Sequence, residues 1–342
     1  MRFATRAAWK RLGVLALAAV LLLAWARQTM LAMPGKRAKG PLPAVTDAEG
    51  RLAAELRADV TRLAGDIGDR NIYKPEALAR AAVWIEGELR RSGYKPARQS
   101  FDAEGLEVCN VEVELPGGDL ATEILVVGAH YDSVPGCPAA NDNGSGVAAT
   151  LALARAMRAE KPRRTIRFVL FVNEEPPFFQ TQFMGSRVYA KRCKERGENI
   201  IGMISLETIG YYSDEDESQM YPFGGLRWVY GKRGDFIAFV GNLKWRGFVQ
   251  RTIAHFREVS QFPSEGAALP AFLQGVGWSD HWSFWQEGYP ALMVTDTAPF
   301  RYPHYHRATD TPDKLDYEKM ARVVAGLEEA VRRLANEASG AK

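Results

Sequence analysis

The chain has 342 residues, 46% hydrophobic and 25% charged, with three cysteines (Cys109, Cys137, Cys193). That composition excludes disordered, collagen-like and disulfide-framework classes, and its length suits one large α/β domain or two small ones. Of the 44 basic residues, eight lie within 1–46, where there is no acid. This leaves 36 against 41 acidic residues, a net of −5 for the body, which argues against a general nucleic-acid binder.

The first element is an address. Met1 to Arg11 is a basic leader, and Leu12 to Ala26 is an unbroken apolar run closed by Arg27. A basic flank followed by an apolar run describes an export signal. The run alone is shorter than the roughly 20 residues that span a bilayer. Ala24-Trp25-Ala26 fits a cleavage site, and residues 28–33 can lengthen the run into an anchor. Two readings of residues 1–33 therefore stand: a cleaved signal peptide, or a single membrane anchor. In both, the positive flank stays cytoplasmic and the body is exported, periplasmic or extracellular. Residues 34–46 are rich in Pro, Gly and Lys and read as a linker.

The body alternates helices and strands. Apolar spacing predicts helices over 47–66 and 76–93, the second ending at Gly93. A β-rich stretch from Arg98 to Leu115 ends at Pro116-Gly117-Gly118. Ile124–Ala129 is a continuous apolar run, as in a buried parallel strand. Then come a helix over 146–158, strands over 165–172 and 200–206 with a helix over 185–196 between them, and a helix near 244–257. A short helix near 280–287, a strand at 290–295 and a final helix from Tyr317 to about Ala338 complete the pattern. Such alternation with short loops predicts a parallel or mixed sheet covered on both faces, with the active site beyond the carboxyl ends of the strands.

Those strand ends carry carboxylates and histidines. The strand at 124–129 runs into His130-Tyr131-Asp132. One imidazole nitrogen can bind metal while the other donates to a carboxylate. Asp142 lies in a polar, glycine-rich turn before a helix, where on its own it reads first as a helix cap. The strand at 165–172 runs into Glu174-Glu175, two adjacent acids that suit metal binding and proton transfer, or equally a solvated loop. The strand at 200–206 ends at Glu207. His304, His306 and Asp310 share a proline-rich loop. Of the other histidines, His255 reads as an ordinary polar position on its helix, and capping explains Ser279-Asp280-His281 equally well.

The ordered set His130-Tyr131-Asp132, Asn141-Asp142-Asn143-Gly144-Ser145-Gly146, Asn173-Glu174-Glu175, Leu206-Glu207-Thr208-Ile209-Gly210 and Tyr305-His306…Asp310-Thr311 resembles the di-zinc aminopeptidases, metallopeptidase family twenty-eight, bacterial leucyl aminopeptidase-like. Gly68-Asp69-Arg70-Asn71 and Ser279-Asp280-His281 belong to the same resemblance, which spans about residues 50–336. It implies a three-layer zinc-exopeptidase-like α/β fold over 47–342, a mixed central sheet flanked by helices on both faces, and two neighbouring zinc ions. Carried over residue by residue, Asp142 bridges the metals, His130 and Glu207 complete one site, and Glu175 and His306 complete the other. Glu174 is then the general base and Asp132 orients His130. Many relatives have Asp where this chain has Glu207; Glu also supplies oxygen ligands to zinc. His304 matches nothing assignable.

Imidazole and carboxylate donors without thiolates suit zinc, with cobalt or manganese as substitutes. The implied activity is that of an exported aminopeptidase acting on peptides with a free amino terminus. A glutaminyl-peptide cyclase, which uses one zinc, and a non-catalytic peptidase-like binding domain are the alternatives. A dipeptidase or carboxypeptidase stays open as well, because Arg307 could bind a substrate carboxylate. The aromatic-rich 278–302 region is the expected side-chain pocket.

Overall fold

The computed structural model describes residues 5–338. Arg2 of the basic leader lies outside the described residues. Helix α1 (Arg6–Ala26) runs without a break into a wider turn over Arg27–Leu31. Together they give a 23-residue apolar helix, Trp9–Leu31, none of it buried. At about 1.5 Å per residue it can cross a hydrocarbon core of about 30 Å. The apolar run legible in the sequence is thus lengthened by the turn that follows Ala26. Residues 34–46 carry neither helix nor strand. They are nevertheless pinned to the body, because Arg37 pairs with Asp235 and Glu265, each at 2.7 Å, and Arg322 donates to the Pro43 carbonyl.

Helix α2 (Asp47–Val60) opens with a capping box between Thr46 and Glu49 and loosens into a wider turn over Thr61–Ile67. Helix α3 (Pro75–Arg91) follows, with Pro at its start and Gly93, at φ +83°, after its end. The remaining elements are β1 (Ala97–Ala103), β2 (Leu106–Leu115), β3 (Leu120–His130), α4 (Gly146–Met157), β4 (Arg164–Phe171), α5 (Gly185–Glu195), β5 (Asn199–Glu207), α6 (Arg227–Tyr230), β6 (Ile237–Asn242), α7 (Arg246–Val259), β7 (Ser264–Leu269), α8 (His281–Gln286), β8 (Ala291–Thr295) and α9 (Tyr317–Asn336).

All eight strands form one mixed sheet in the order β1-β2-β4-β3-β5-β8-β6-β7. The central four, β4, β3, β5 and β8, are parallel, while β2 and the β6–β7 pair run the other way. Side-chain alternation builds a core on each face. On β3, Leu125 and Val127 join the larger apolar cluster with α2, α3, α4, α7 and α9, while Ile124 and Val126 join the smaller one with α5 and α8. Burial on both faces explains why these strands read as continuous apolar runs. The architecture is the three-layer α/β fold that the resemblance implies. Strands β6 and β7 escape the sequence pattern. The β7 segment, Ser-Glu-Gly-Ala-Ala-Leu, has no β-branched residue, so its strand state rests on sheet pairing rather than local preference.

Candidate metal centre

The chain passes from β3 to β4 on one side of β3, then to β5 on the other. Their carboxyl ends therefore meet at a point where the topology reverses, the ordinary place for a site in such a sheet. His130 is the last residue of β3 and Glu207 the last of β5. Asn173 (φ +59°) and Thr208 (φ +48°) take left-handed backbone conformations just past β4 and β5, and His306 itself does so at +57°. Non-glycine residues in that region are sparsely populated and gather at functional sites. Here they turn the chain abruptly beside each acid or imidazole.

Asp142 is central. One carboxylate oxygen, Oδ1, lies 3.3 Å from His130 Nε2, and the other, Oδ2, lies 3.0 Å from His306 Nε2. Glu207 Oε2 is also 3.3 Å from His130 Nε2, and Glu175 Oε1 is 3.4 Å from His306 Nε2. The ligand atoms of His130, Asp142 and Glu207 all fall within 4.8 Å of one another, as do those of Asp142, Glu175 and His306. Glu174 lies between, its Oε2 3.9 Å from His130 Nε2, and with His130 and Glu175 it forms a third, overlapping group. Asp142 does not cap the following helix. That task falls to Asn143, whose Oδ1 accepts from Gly146 N–H while its amide donates to the Leu206 carbonyl. Gly146 must be glycine, since a Cβ there would sit 2.3 Å from both Asn143 Oδ1 and the Leu206 carbonyl.

The donor set fits metal ions. His130 Nε2, Asp142 Oδ1 and Glu175 Oε1 are buried and make no hydrogen bond among the described residues, an arrangement costly for polar groups unless something binds them. Charge gives the same answer. Burial, then the neighbouring carboxylates, push Glu174 well above the usual carboxylate range, and burial and Asp142 push Glu175 up to about 7. Glu207 is also raised, chiefly by burial. Burial opposes charge on Asp142 too, yet the adjacent imidazoles of His130 and His306 outweigh it and hold that carboxyl well below its ordinary value. His306 is raised to about 10, because Asp142 and Glu175 outweigh its burial. Four acids crowded on two imidazoles demand added positive charge, which divalent cations supply.

A supporting ring holds these donors. Asp132 Oδ1 lies 3.5 Å from His130 Nδ1, the position of an orienting carboxylate though longer than an ordinary hydrogen bond. Asp132 also accepts the backbone N–H groups of Glu174 and Glu175, both at 3.1 Å, so it fixes the acid pair as well. Asp310, which spacing alone leaves without a role, accepts from the backbone N–H groups of Asn141 and Asp142 and from the Tyr302 hydroxyl. Ser279 Oγ donates to Glu207 Oε2 at 2.7 Å, and Tyr305 stacks on the His306 ring at 3.9 Å.

Arg70 is fully buried and donates to the carbonyls of Gly68, Tyr131, Pro138 and Ala139, clasping the loop between His130 and Asp142. Burial lowers its guanidinium to about 10, still charged at neutral pH. Arg70→Met leaves these carbonyls short of donors. A loss of about 3 kcal/mol or more is expected, read as a lower urea midpoint.

The remaining histidines stand apart. His281 is buried with Nε2 2.8 Å from the Val276 carbonyl, and Asp280 makes no capping bond to α8. Burial pushes Asp280 up to about 7. The capping explanation of that segment therefore fails. His304 pairs with Thr309 Oγ1, and His255 with Glu337. Arg307 is exposed.

An apolar pocket adjoins the centre, sharing Glu207, Thr208 and Tyr305 with it. Trp278, Met293 and Phe300 line it from the 278–302 region, and Tyr221, Phe236 and Val240 complete it. The second group comes from β6 and the chain before it, which the sequence pattern leaves unassigned.

A mixed α/β sheet with a dense carboxylate–imidazole centre at its carboxyl edge is the arrangement of a metal-dependent enzyme with the zinc-exopeptidase fold. The chain belongs to peptidase family M28, whose model matches residues 110–331, and is a metallopeptidase. It is 36% identical over 281 residues to the uncharacterised protein YfbL of Escherichia coli K12, covering 80% of this chain and 85% of that one. It is 26% identical over 297 residues to leucine aminopeptidase 1 of Arthroderma otae, covering 79% and 72%. Among solved structures, the zinc aminopeptidase BSAP of Bacillus subtilis matches at TM-score 0.67 and 15% identity, over 85% of this chain and 96% of that one. A glutaminyl cyclase of Fimbriiglobus ruber matches at TM-score 0.61 and 22% identity, over 88% and 99%. The fold is thus shared by both activities, and the site must separate them.

Proposed function

We propose that the protein is an exported aminopeptidase holding two zinc ions per chain, one on His130, Asp142 and Glu207 and the other on Asp142, Glu175 and His306. The observation that carries this reading is the division of Asp142, one oxygen toward each imidazole. A complete second donor group favours hydrolysis over the single-zinc cyclase chemistry and over a non-catalytic domain. Zinc on these donors would supply Lewis acidity, lowering the pKa of a water and polarising the scissile carbonyl. Glu174 takes the proton from the attacking water and passes it to the leaving amine. Asp132 holds both His130 and the Glu174–Glu175 turn in place. The substrate is a peptide with a free amino terminus. A peptide amide should be cut and its amino-acetylated form left intact. Equal cleavage of both would end the aminopeptidase reading.

The apolar pocket receives the amino-terminal side chain. Glu265 at its wall is matched by Arg37 and Arg257, so it does not invite a cationic residue. A leucine substrate should exceed a glycine one by about 10- to 100-fold in kcat/KM, measured on a series of amino-acyl amides.

The first helix is read as a retained anchor. It continues past Ala26 without a break, and Arg246, Gln250 and Arg257 donate to the carbonyls of Gln28, Ala32 and Pro34. A reporter fused at the carboxyl terminus should be active only on the exported side. The purified membrane protein should still begin at its first residues.

A further inference from the structure

The surface around the exit of α1 is apolar where a soluble surface would be polar. Trp228 is 90% exposed and Phe272 86%, and Val229 and Leu243 are exposed beside them. Scattered apolar residues on a surface need no explanation, but a group gathered at one place does. These gather where the apolar helix leaves the body. Val229 lines a hollow in common with Ala24, Arg27 and Leu31. Arg246, three residues after Leu243, donates to the Gln28 carbonyl. Asn242 pairs with Leu269 at the ends of β6 and β7, so the turns bearing Leu243 and Phe272 emerge side by side. Met30 and Leu31 pack into the same apolar cluster as Leu273 and Trp245.

We propose that these turns dock the catalytic body on the bilayer that α1 spans, with Trp228, Val229, Leu243 and Phe272 set into its surface. The proposal rests on the reading of α1 as a retained anchor. Continuity with α1 selects a lipid surface over a protein partner. Residues 28–37 are bonded to α7 and paired with Asp235 and Glu265, so no free tether lifts the body away. Tryptophan with neighbouring cations suits the headgroup level, and Lys244 and Arg27 are exposed here. Docking also has a consequence for substrate. Leu226 and Tyr230, one turn apart, face the apolar pocket, while Trp228 and Val229 between them face outward. Gln274 and Gly275 line the same pocket just beyond Phe272. The pocket is therefore walled by the membrane-contacting turns, which suits amino termini presented at a membrane surface.

The test uses the full chain reconstituted in phosphatidylethanolamine–phosphatidylglycerol vesicles. Its own cysteines are buried, so Trp228→Cys, Phe272→Cys and, at the distant β1–β2 turn, Glu104→Cys can each be labelled with a fluorophore. Lipids carrying a spin label on the acyl chain should quench the probes at 228 and 272 and spare the one at 104. Unquenched probes on a chain that resists carbonate extraction would overturn docking and leave the anchor standing. Extraction by carbonate would overturn the anchor and docking together, and crosslinks between copies through position 228 would replace the lipid with a second chain. The paired variant Trp228→Glu with Phe272→Glu should keep its turnover of a free peptide and lose several-fold on a peptide tethered to the same vesicles. Equal turnover of both peptides would overturn the link between docking and substrate.

Discussion

Glu174→Gln is expected to keep both metal ions and lose turnover by about 10²–10⁴-fold, the usual weight of a general base. The loss can exceed that range, because the same carboxylate is assigned the return of the proton to the leaving amine. Its neighbour should behave differently. Glu175 lies 3.4 Å from His306 Nε2, while Glu174 Oε2 is 3.9 Å from His130 Nε2, between the two donor groups. Glu175→Gln should therefore lower zinc content toward one ion per chain, whereas Glu174→Gln should leave it at two. Burial raises Glu174 well above the ordinary carboxylate range, which makes it a better proton acceptor once ionised. A product that needs no proton transfer should still bind the Glu174 variant, since the lost interaction acts in the transition state. Zinc analysis beside single-turnover kinetics separates the two roles. Near-normal turnover in Glu174→Gln would show that the two assignments are wrong.

What could be read from the sequence follows from how local each signal is. The strands that end at His130 and Glu207 and just before Glu174 are buried on both faces, so their apolar runs stand out, and polar residues mark where each run ends. Family M28 was recognisable because its motifs occur at those ends, in order. Two things stayed hidden. Strands β6 and β7 depend on pairing with β8 and with each other, and Ser264–Leu269 has the composition of a loop. The part of the apolar pocket's wall that they supply was hidden with them. Asp310 was visible as a residue but not as a support. Its partners are two backbone amides some 168 and 169 positions earlier and the hydroxyl of Tyr302, and contacts of that range have no periodicity. Asp142 shows the opposite error. Its place before a helix gives capping as the first local reading, yet in three dimensions both of its oxygens face imidazoles.

The division of Asp142 also gives the sharpest test of a shared centre. Asp142→Asn keeps size and shape but leaves one carbonyl oxygen where two carboxylate oxygens stood, and its amide can only donate. One imidazole must then face an N–H instead of an acceptor, beside a side chain that is itself buried. If each ion were held by its own separate set, this change would empty one site and spare the other. Because both groups share the residue, zinc content should fall below one ion per chain and activity should vanish. Asp310→Asn supplies the contrast. It weakens the hydrogen bonds that fix the backbone of Asn141 and Asp142 but removes no donor atom, so metal affinity should fall by about 10–100-fold. Excess zinc should then restore turnover in Asp310→Asn and fail to do so in Asp142→Asn. Circular dichroism of each variant confirms that the body is folded. Two tightly held ions in Asp142→Asn would refute the bridge, and leave two independent sites in its place.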